Sequence, residues 1–508
     1  MKRRSLLLAA PALLLPGRVA AQPLPADPFP LGVASGWPRA DGISLWTRLM
    51  GTGPAELGGG PRTVRWILAE DDRLTRPIAG GSVVADPAFA HSVHVDVRGL
   101  SAGRPYWYRF DVEGRTSPVG RTRTAAAAGD SVRRVRLAFA SCQQYEQGYY
   151  TAHRHLAAEE LDAVLFVGDY IYEKSWGRDL VRRHEGGRTV SLADYRARYA
   201  TYKSDPDLRA AHAAHPWIVT WDDHEVDDDY TDNFSPQERD PARFMAQRAA
   251  AYQAFFEHMP LPASLAPQGP ALRLHSRHRF GNLVELHMLD DRQYRSPHAC
   301  RESWGPGKTL GPACTERLDP RRTMLGTAQE AWLTEGLARA SARWTAIGQQ
   351  TLMAPLDRDS GKGEGATFWA DGWDGYPAAR QRLLGAVAAS PVRDTLVLGG
   401  DVHSWWAADL AADPGRAGAP IVATEFVGTS ISSQGPSNNR IQALLTAGRN
   451  PHLRYGHGGA HGYSTVAFER DRATVEFKSV SSVKKSEASV ATLKSFAVER
   501  GRPGVQSA

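Results

Sequence analysis

Ala163-Val164-Leu165-Phe166-Val167-Gly168-Asp169 sets the reading of this chain: five apolar residues, a glycine, then a carboxylate. A run of that length with two valines reads as a strand buried on both faces, and the polar residue after it falls at the strand's carboxyl end. The same succession recurs. Val135 to Ala140 leads to Ser141-Cys142, and Trp217 to Thr220 leads to Trp221-Asp222-Asp223-His224-Glu225. Leu283 to Leu289 leads to Asp290-Asp291-Arg292, and Thr395 to Leu398 leads to Gly399-Gly400-Asp401-Val402-His403. Periodicity alone does not separate such short runs from pieces of buried helix, but their length, Val content and following glycines favour strand. In α/β sheets, groups at the carboxyl ends of strands converge on one crevice, so distant segments are expected to build a single site.

The residues gathered there are a thiol, several carboxylates, two imidazoles and a phenol, which together are metal-ligand types. Taken singly, each has an ordinary explanation: an Asp after a strand caps a helix, a buried His is satisfied within the core, and Tyr172 packs. Together, at the ends of successive strands, they read as ligands. Asp222-Asp223-His224-Glu225 followed by Asp227-Asp228-Asp229 concentrates negative charge. Beside a hydrophobic strand this is destabilising unless cations neutralise it. An acidic surface loop is the alternative, and the apolar Val219 and Trp221 at its entrance argue against that.

Upstream, residues 28–124 alternate in short segments such as Val64-Arg65-Trp66-Ile67 and Ser92-Val93-His94-Val95-Asp96-Val97, separated by Gly, Pro and Asp. An all-β module is expected there. Its last part, around Pro105-Tyr106-Trp107-Tyr108-Arg109-Phe110, resembles the late strands of a fibronectin type III sandwich. Residues 125–130 suit a linker. A chain of 508 residues exceeds what one core usually serves, and 42% hydrophobic with 23% charged residues indicates a globular protein.

The first 21 residues read as a signal peptide: a basic start, an apolar stretch from Leu6 to Leu15, a Pro16-Gly17 break, and Val19-Ala20-Ala21 before a cut after Ala21. Arg3-Arg4 before Ser5-Leu6-Leu7 resembles a twin-arginine signal, which would make the twin-arginine export machinery a transient partner; an ordinary secretion signal is the other reading. The mature protein is expected in the periplasm or outside the cell, as a monomer with no permanent membrane anchor, since no later run reaches about 18 apolar residues. Four positive charges, on Lys2, Arg3, Arg4 and Arg18, leave with the signal, taking the formal charge from +6 to +2. Such a balance supports no nucleic-acid partner. Of three cysteines, Cys300 and Cys314 flank a Gly- and Pro-rich loop that an oxidising compartment would favour closing, leaving Cys142 alone.

Several runs, in this order along the chain, resemble the alkaline phosphatase D (PhoD) family, related in plan to purple acid phosphatases and calcineurin-like metallophosphoesterases. They are Ser141-Cys142-Gln143, Gly168-Asp169-Tyr170-Ile171-Tyr172-Glu173, Trp221-Asp222-Asp223-His224-Glu225 and Leu289-Asp290-Asp291-Arg292-Gln293-Tyr294-Arg295, then Trp373-Asp374-Gly375-Tyr376, Gly400-Asp401-Val402-His403 and Gly428-Thr429-Ser430. Asp291 departs from the family, which commonly has Thr there. The resemblance spans residues 28–480 and implies a β-sandwich at 28–124, an αββα catalytic domain at 131–480, and a less typical tail at 481–508.

The resemblance also implies a ferric ion (Fe3+) with calcium (Ca2+) beside it, and thiolate and phenolate donors suit iron as carboxylates suit calcium. Cys142, Asp169, Tyr172 and His403 are assigned to iron. Asp169, as the bridging carboxylate, also touches the neighbouring cation with Asp223 and Asp401, while Asp222 and Asp290 are further candidates. The implied reaction is an in-line attack of metal-bound hydroxide on small-molecule phosphate esters, releasing inorganic phosphate. His224 is the candidate general acid. Arg292 either grips a phosphate oxygen bidentately or supports Asp290. His457 and His461, in the run Gly456 to Gly462, stay unassigned in a loop expected to be mobile and near the site. A phosphodiesterase, including one acting on phospholipid or teichoic-type substrates, is the alternative on the same site. An iron redox enzyme lacks its 2-His-1-carboxylate pattern here, and a calcium-binding adhesion module leaves Cys142, Tyr172 and His403 unexplained.

Overall fold

The structure is a computed structural model that describes residues 24–52, 56–301, 309–359, 365–416 and 418–508; the signal segment 1–21 lies outside them. Two sheets face each other at its centre. In one, the parallel strands Arg134–Ala140, Ala163–Val167 and Pro216–Thr220 lie side by side. In the other, Val284–Met288, Trp344–Gly348, Thr395–Gly399 and Ile421–Val427 run parallel in that order. Three of the five runs that sequence reading ends in ligand-type residues therefore fall in strands parallel to both neighbours, while Arg134–Ala140 and Val284–Met288 are each parallel to one neighbour and antiparallel to the other, Gly462–Glu469 and Ser276–Phe280.

Their near-continuous apolarity has a direct cause, because each face meets a different core. Leu137, Phe139, Leu165 and Val167 point between the sheets, against Val284, Leu286, Leu396 and Leu398. The intervening Ala138, Ala140, Val164 and Phe166 meet a second core with Tyr195, Tyr199, Leu208 and Phe244. Those come from Leu192–Lys203, Pro206–Ala214 and Pro241–His258, helices started by capping side chains. Ser191 and Asp194 form a capping box, and Asp205 and Asp240 each cap a helix with proline in its first turn. On the outer face of the second sheet, Leu337, Leu384 and Ile441 cover Ile347 and Val397. The result is the helix–sheet–sheet–helix layering expected for the catalytic part. Truncating Leu165, wholly buried between the sheets, would cost about 2–5 kcal/mol.

The N-terminal module is a two-layer sandwich. Val33–Arg39, Gly42–Arg48 and Ser92–Arg98 pack against a sheet of Pro77–Ala85, Arg62–Ala69, Pro105–Val112 and Arg115–Thr116, burying Ile43, Leu45, Val64, Tyr108 and Phe110. The Tyr106 hydroxyl donates back to the Ser101 carbonyl at 3.2 Å, the backward bond of a tyrosine corner. The module is not a separate body. Val33–Arg39 pairs in parallel with Pro216–Thr220, so its inner sheet continues the catalytic one. Gly36 permits the junction, since a Cβ there would lie 2.4 Å from the Pro260 carbonyl oxygen.

At the opposite edge, Gly462–Glu469 pairs with Arg134–Ala140 and is followed outward by Arg472–Val480, Val490–Glu499 and Arg502–Ser507. Residues 481–508, set apart as a tail on sequence grounds, thus hold the two outermost strands of the sheet. The run Gly456 to Gly462, read as a loop, is strand up to His457 and again from Gly462. Cys300 and Cys314 are joined as a disulfide.

Candidate metal centre

Cys142 and Asp169 stand just past adjacent parallel strands and hold each other's loops: the Cys142 amide donates to the Gly168 carbonyl at 3.1 Å and the Gln143 amide to that of Asp169 at 3.0 Å. Asp401 and His403 follow Thr395–Gly399 of the other sheet. All four have left-handed backbones, with φ of 60°, 57°, 64° and 50°. L-residues avoid that region at a cost of about 1–3 kcal/mol each, so the fold spends stability on aiming these side chains. Gly168 has φ +109°, and a Cβ on it would come within 2.4 Å of Asp222 Cβ, so the Asp169 and Asp222 loops touch where only glycine fits. Glu225 fastens them, accepting the amides of Asp169, Tyr170 and Asp222.

Among the described residues three donor groups result, each with atoms within 4.8 Å of one another: Cys142, Asp169 and His403; Asp169, Asp223 and His224; and Asp223, Asp228 and Asp229. Asp169 belongs to the first two and Asp223 to the last two, so the groups form one chain. The Tyr172 hydroxyl donates to Asp169 Oδ2 at 2.7 Å and lies 3.2 Å from His403 Nε2. His403 Nδ1 lies 2.6 Å from the Gln434 carbonyl, which fixes the proton on Nδ1 and leaves Nε2 as the donor. The segment after Ile421–Val427 closes the site from the second sheet. Ser430 bridges to Ser141, and Ser433 Oγ lies 2.8 Å from the Tyr172 hydroxyl.

Charge in this cluster is unbalanced. Burial pushes the Cys142 thiol well up, and the carboxylates of Asp169 and Asp401 push it further. Burial likewise raises Asp169, where Asp223 and Asp222 add to it and His224 opposes, and Asp401, where Asp222 and Asp223 add to it and Arg292 opposes. Among the described residues, Oδ1 of Asp169 and Oδ2 of Asp222 and of Asp401 are buried without a hydrogen-bond partner. Burial holds His403 down at about 4, a neutral imidazole. Buried, unpartnered carboxylate oxygens beside a thiol and a neutral imidazole are the setting that cations complete, so the residues present fit a multi-metal centre.

The remaining expected residues are placed differently. Asp222, 1% exposed, is engaged through Oδ1 by Arg292 Nε. Arg292 is also bonded to Asp371, at 2.9 Å from Nη1 to Oδ1, and lies 3.7 Å from Asp223, wholly inside the protein. Its guanidinium thus braces Asp222 and Asp371, while Asp290 receives its backbone amide. Asp290 also accepts the Gln293 amide and side chain, and it joins none of the three donor groups. Asp291 is fully buried, and among the described residues both its carboxylate oxygens are without a hydrogen-bond partner. Asp227 pairs with Arg188 and Ser235. Asp228 pairs with Lys174 at 2.7 Å and Asp229 donates its amide to Asp223 at 2.7 Å, two site residues that sequence reading registered only as charge. His461 is tied to Ser430 at 3.0 Å.

This geometry defines a metallohydrolase-type centre at the carboxyl ends of two facing sheets. Comparison with known proteins carries the definition further. The profile of the PhoD-like phosphatase family matches residues 137–477, and that of the PhoD-like phosphatase N-terminal domain matches residues 16–126. Alkaline phosphatase D of Bacillus subtilis (strain 168) is 39% identical over 488 residues, covering 94% of this chain and 82% of that protein. A solved structure of PhoD superposes with a TM-score of 0.90 at 37% identity, covering 96% of this chain and 93% of that one. The chain belongs to the PhoD-like phosphatase family, and it is a phosphoester hydrolase.

Proposed function

We propose that the protein is an exported alkaline phosphatase whose Cys142, Asp169, Tyr172 and His403 hold a ferric ion, with Asp169, Asp223 and Asp401 holding calcium beside it. The observation that carries this reading is the sharing of Asp169 and Asp223 between successive donor groups. Bound there, such ions supply Lewis acidity that withdraws charge from a phosphoryl group and acidifies water. The chain's own residues do the rest. His224 lines the cavity of about 610 Å³ above the cluster, with Nδ1 2.6 Å from Glu173 Oε2. Its Nε2 gives a proton to the leaving ester oxygen as water attacks phosphorus in line and the P–O bond breaks, yielding an alcohol and inorganic phosphate. Tyr172, its ring centroid 4.1 Å from that of His224, holds the imidazole in place. Arg292 keeps Asp222 and Asp371 oriented from behind.

Metal content by plasma mass spectrometry, beside hydrolysis of p-nitrophenyl phosphate and bis-p-nitrophenyl phosphate with and without calcium, tests the assignment. Iron with calcium and monoester turnover supports it; a strong diester preference moves the substrate class to phosphodiesters, and a protein that gains neither metal nor turnover sinks it. For export, Arg3→Lys together with Arg4→Lys should leave precursor in the cytoplasm, and the mature N-terminus should begin at Gln22. Among the described residues no helix is long and apolar enough to cross a membrane. A monomer should elute at the mass of one mature chain.

A further inference from the structure

The cavity that opens over Asp169, Asp223, His224, Asp401 and His403 is lined as well by Arg358 and Arg440. Among the described residues neither guanidinium forms an ion pair, whereas the next arginines along the chain, Arg380 and Arg449, are bonded to Asp374 and Asp357. Arg358 is half-buried, its guanidinium 5.1 Å from the centre of the Trp369 ring. Arg440 is exposed, on the first turn of helix Asn438–Thr446. Arg440 acts on Arg358: burial and then Arg440 pull Arg358 down to about 10, opposed by Asp374 and Asp401. Two cations lining one cavity with no ion-pair partner among the described residues are a setting that an oxyanion completes. Lys174, paired with Asp228, lines the cavity as well, while near the two arginines the wall is apolar, from Leu356, Trp369, Val402, Trp406 and Ile441. A bare phosphate on the metal ligands would use none of it.

We propose that Arg358 and Arg440 form a second anion-binding subsite in the catalytic cavity, so that the enzyme selects phosphoesters whose alcohol part carries an apolar moiety and, beyond it, a carboxylate or second phosphate. The proposal rests on the phosphoester reading of the metal centre. The guanidinium forks give the distal oxyanion paired hydrogen bonds, and Trp369 and its apolar neighbours receive the segment that joins the two anions. With a formal charge of only +2 once the signal is gone, the whole chain offers no field for a polyanion, and two arginines in one cavity address one small group.

The test uses full-length mature, metal-loaded protein and phenyl phosphates bearing a para carboxyethyl, phosphonoethyl or neutral carbamoylethyl group. Wild-type kcat/KM should favour the anionic compounds over the carbamoyl one by about tenfold, the scale of a charge-assisted hydrogen bond. In Arg358→Met with Arg440→Met that ratio should fall close to one; methionine keeps the packing on Trp369, and unchanged circular dichroism and metal content would show the fold intact. Which anion is preferred identifies the distal group. Calorimetric binding of the matching phenylphosphonates reads the subsite without turnover, and a preference there with no hydrolysis of any ester would keep the subsite and remove the phosphoester reading. Turnover and binding indifferent to the distal charge, or a ratio unmoved by the substitutions, would overturn the proposal.

Discussion

His224 Nδ1 and Glu173 Oε2 are 2.6 Å apart, and Glu173 is completely buried. Burial lowers the imidazole pKa, but the carboxylates of Glu173, Asp223 and Asp169 outweigh it and hold the ring protonated well above its ordinary range. A general acid works while protonated, so activity falls as pH rises through its pKa. Glu173→Gln removes one of the raising charges. The alkaline limb of the pH–kcat/KM profile should therefore move to lower pH while the acid limb stays in place. An unmoved alkaline limb would take the general-acid role away from His224.

Arg292 is held by Asp222 and Asp371 with no solvent contact. Arg292→Met leaves two buried carboxylates without their cation, which costs about 3–5 kcal/mol. Urea unfolding should show that loss together with reduced metal content. A residue that only gripped substrate phosphate would instead raise KM with stability unchanged.

Cys142→Ala and Asp169→Asn remove donors from the two joined groups. Both should lower metal content and reduce turnover by more than about 100-fold, the upper range for loss of a mere outer partner. Far-ultraviolet circular dichroism should stay near wild type. A fully active Cys142→Ala protein with undiminished iron would refute the ligand assignment.

The Cys300–Cys314 link closes a loop with a sequence separation of 14 and belongs to a small satellite core with Leu310 and Ala370, away from the donor groups. Cys300→Ser should cost about 2–3 kcal/mol in thermal or urea unfolding and leave kcat/KM within about twofold.

Strand ends were legible because a parallel strand buried on both faces leaves a run of apolar residues that stops abruptly, as at Val167-Gly168-Asp169. The role of each residue after the stop was less so. Asp290 and Asp169 look alike in sequence, yet Asp290 folds back onto the amides of Arg292 and Gln293 while Asp169 turns through a left-handed backbone into the cluster. Nothing in the residue names separates those outcomes, since a short carboxylate satisfies either. Asp228, Asp229 and Lys174 were hidden for another reason. Their function depends on which neighbour reaches them, and Lys174 meets Asp228 across 54 positions of sequence. The sandwich read as a unit because its alternation is local. Its fusion to the catalytic sheet depends on the pairing of Ser35 with Pro216 and of Gly36 with Trp217, which alternation does not encode.

That fusion has its mirror at the other edge, where the last strand, Arg502–Ser507, finishes the same ten-stranded sheet begun by residues near the start of the chain. The hems of that sheet are Ser92–Arg98 and Arg502–Ser507. Loss of Val33–Arg39 would bare the backbone of Pro216–Thr220, the strand that leads to Asp222 and Asp223, whereas three strands, Gly462–Glu469, Arg472–Val480 and Val490–Glu499, stand as a margin between Arg502–Ser507 and the strand that leads to Cys142.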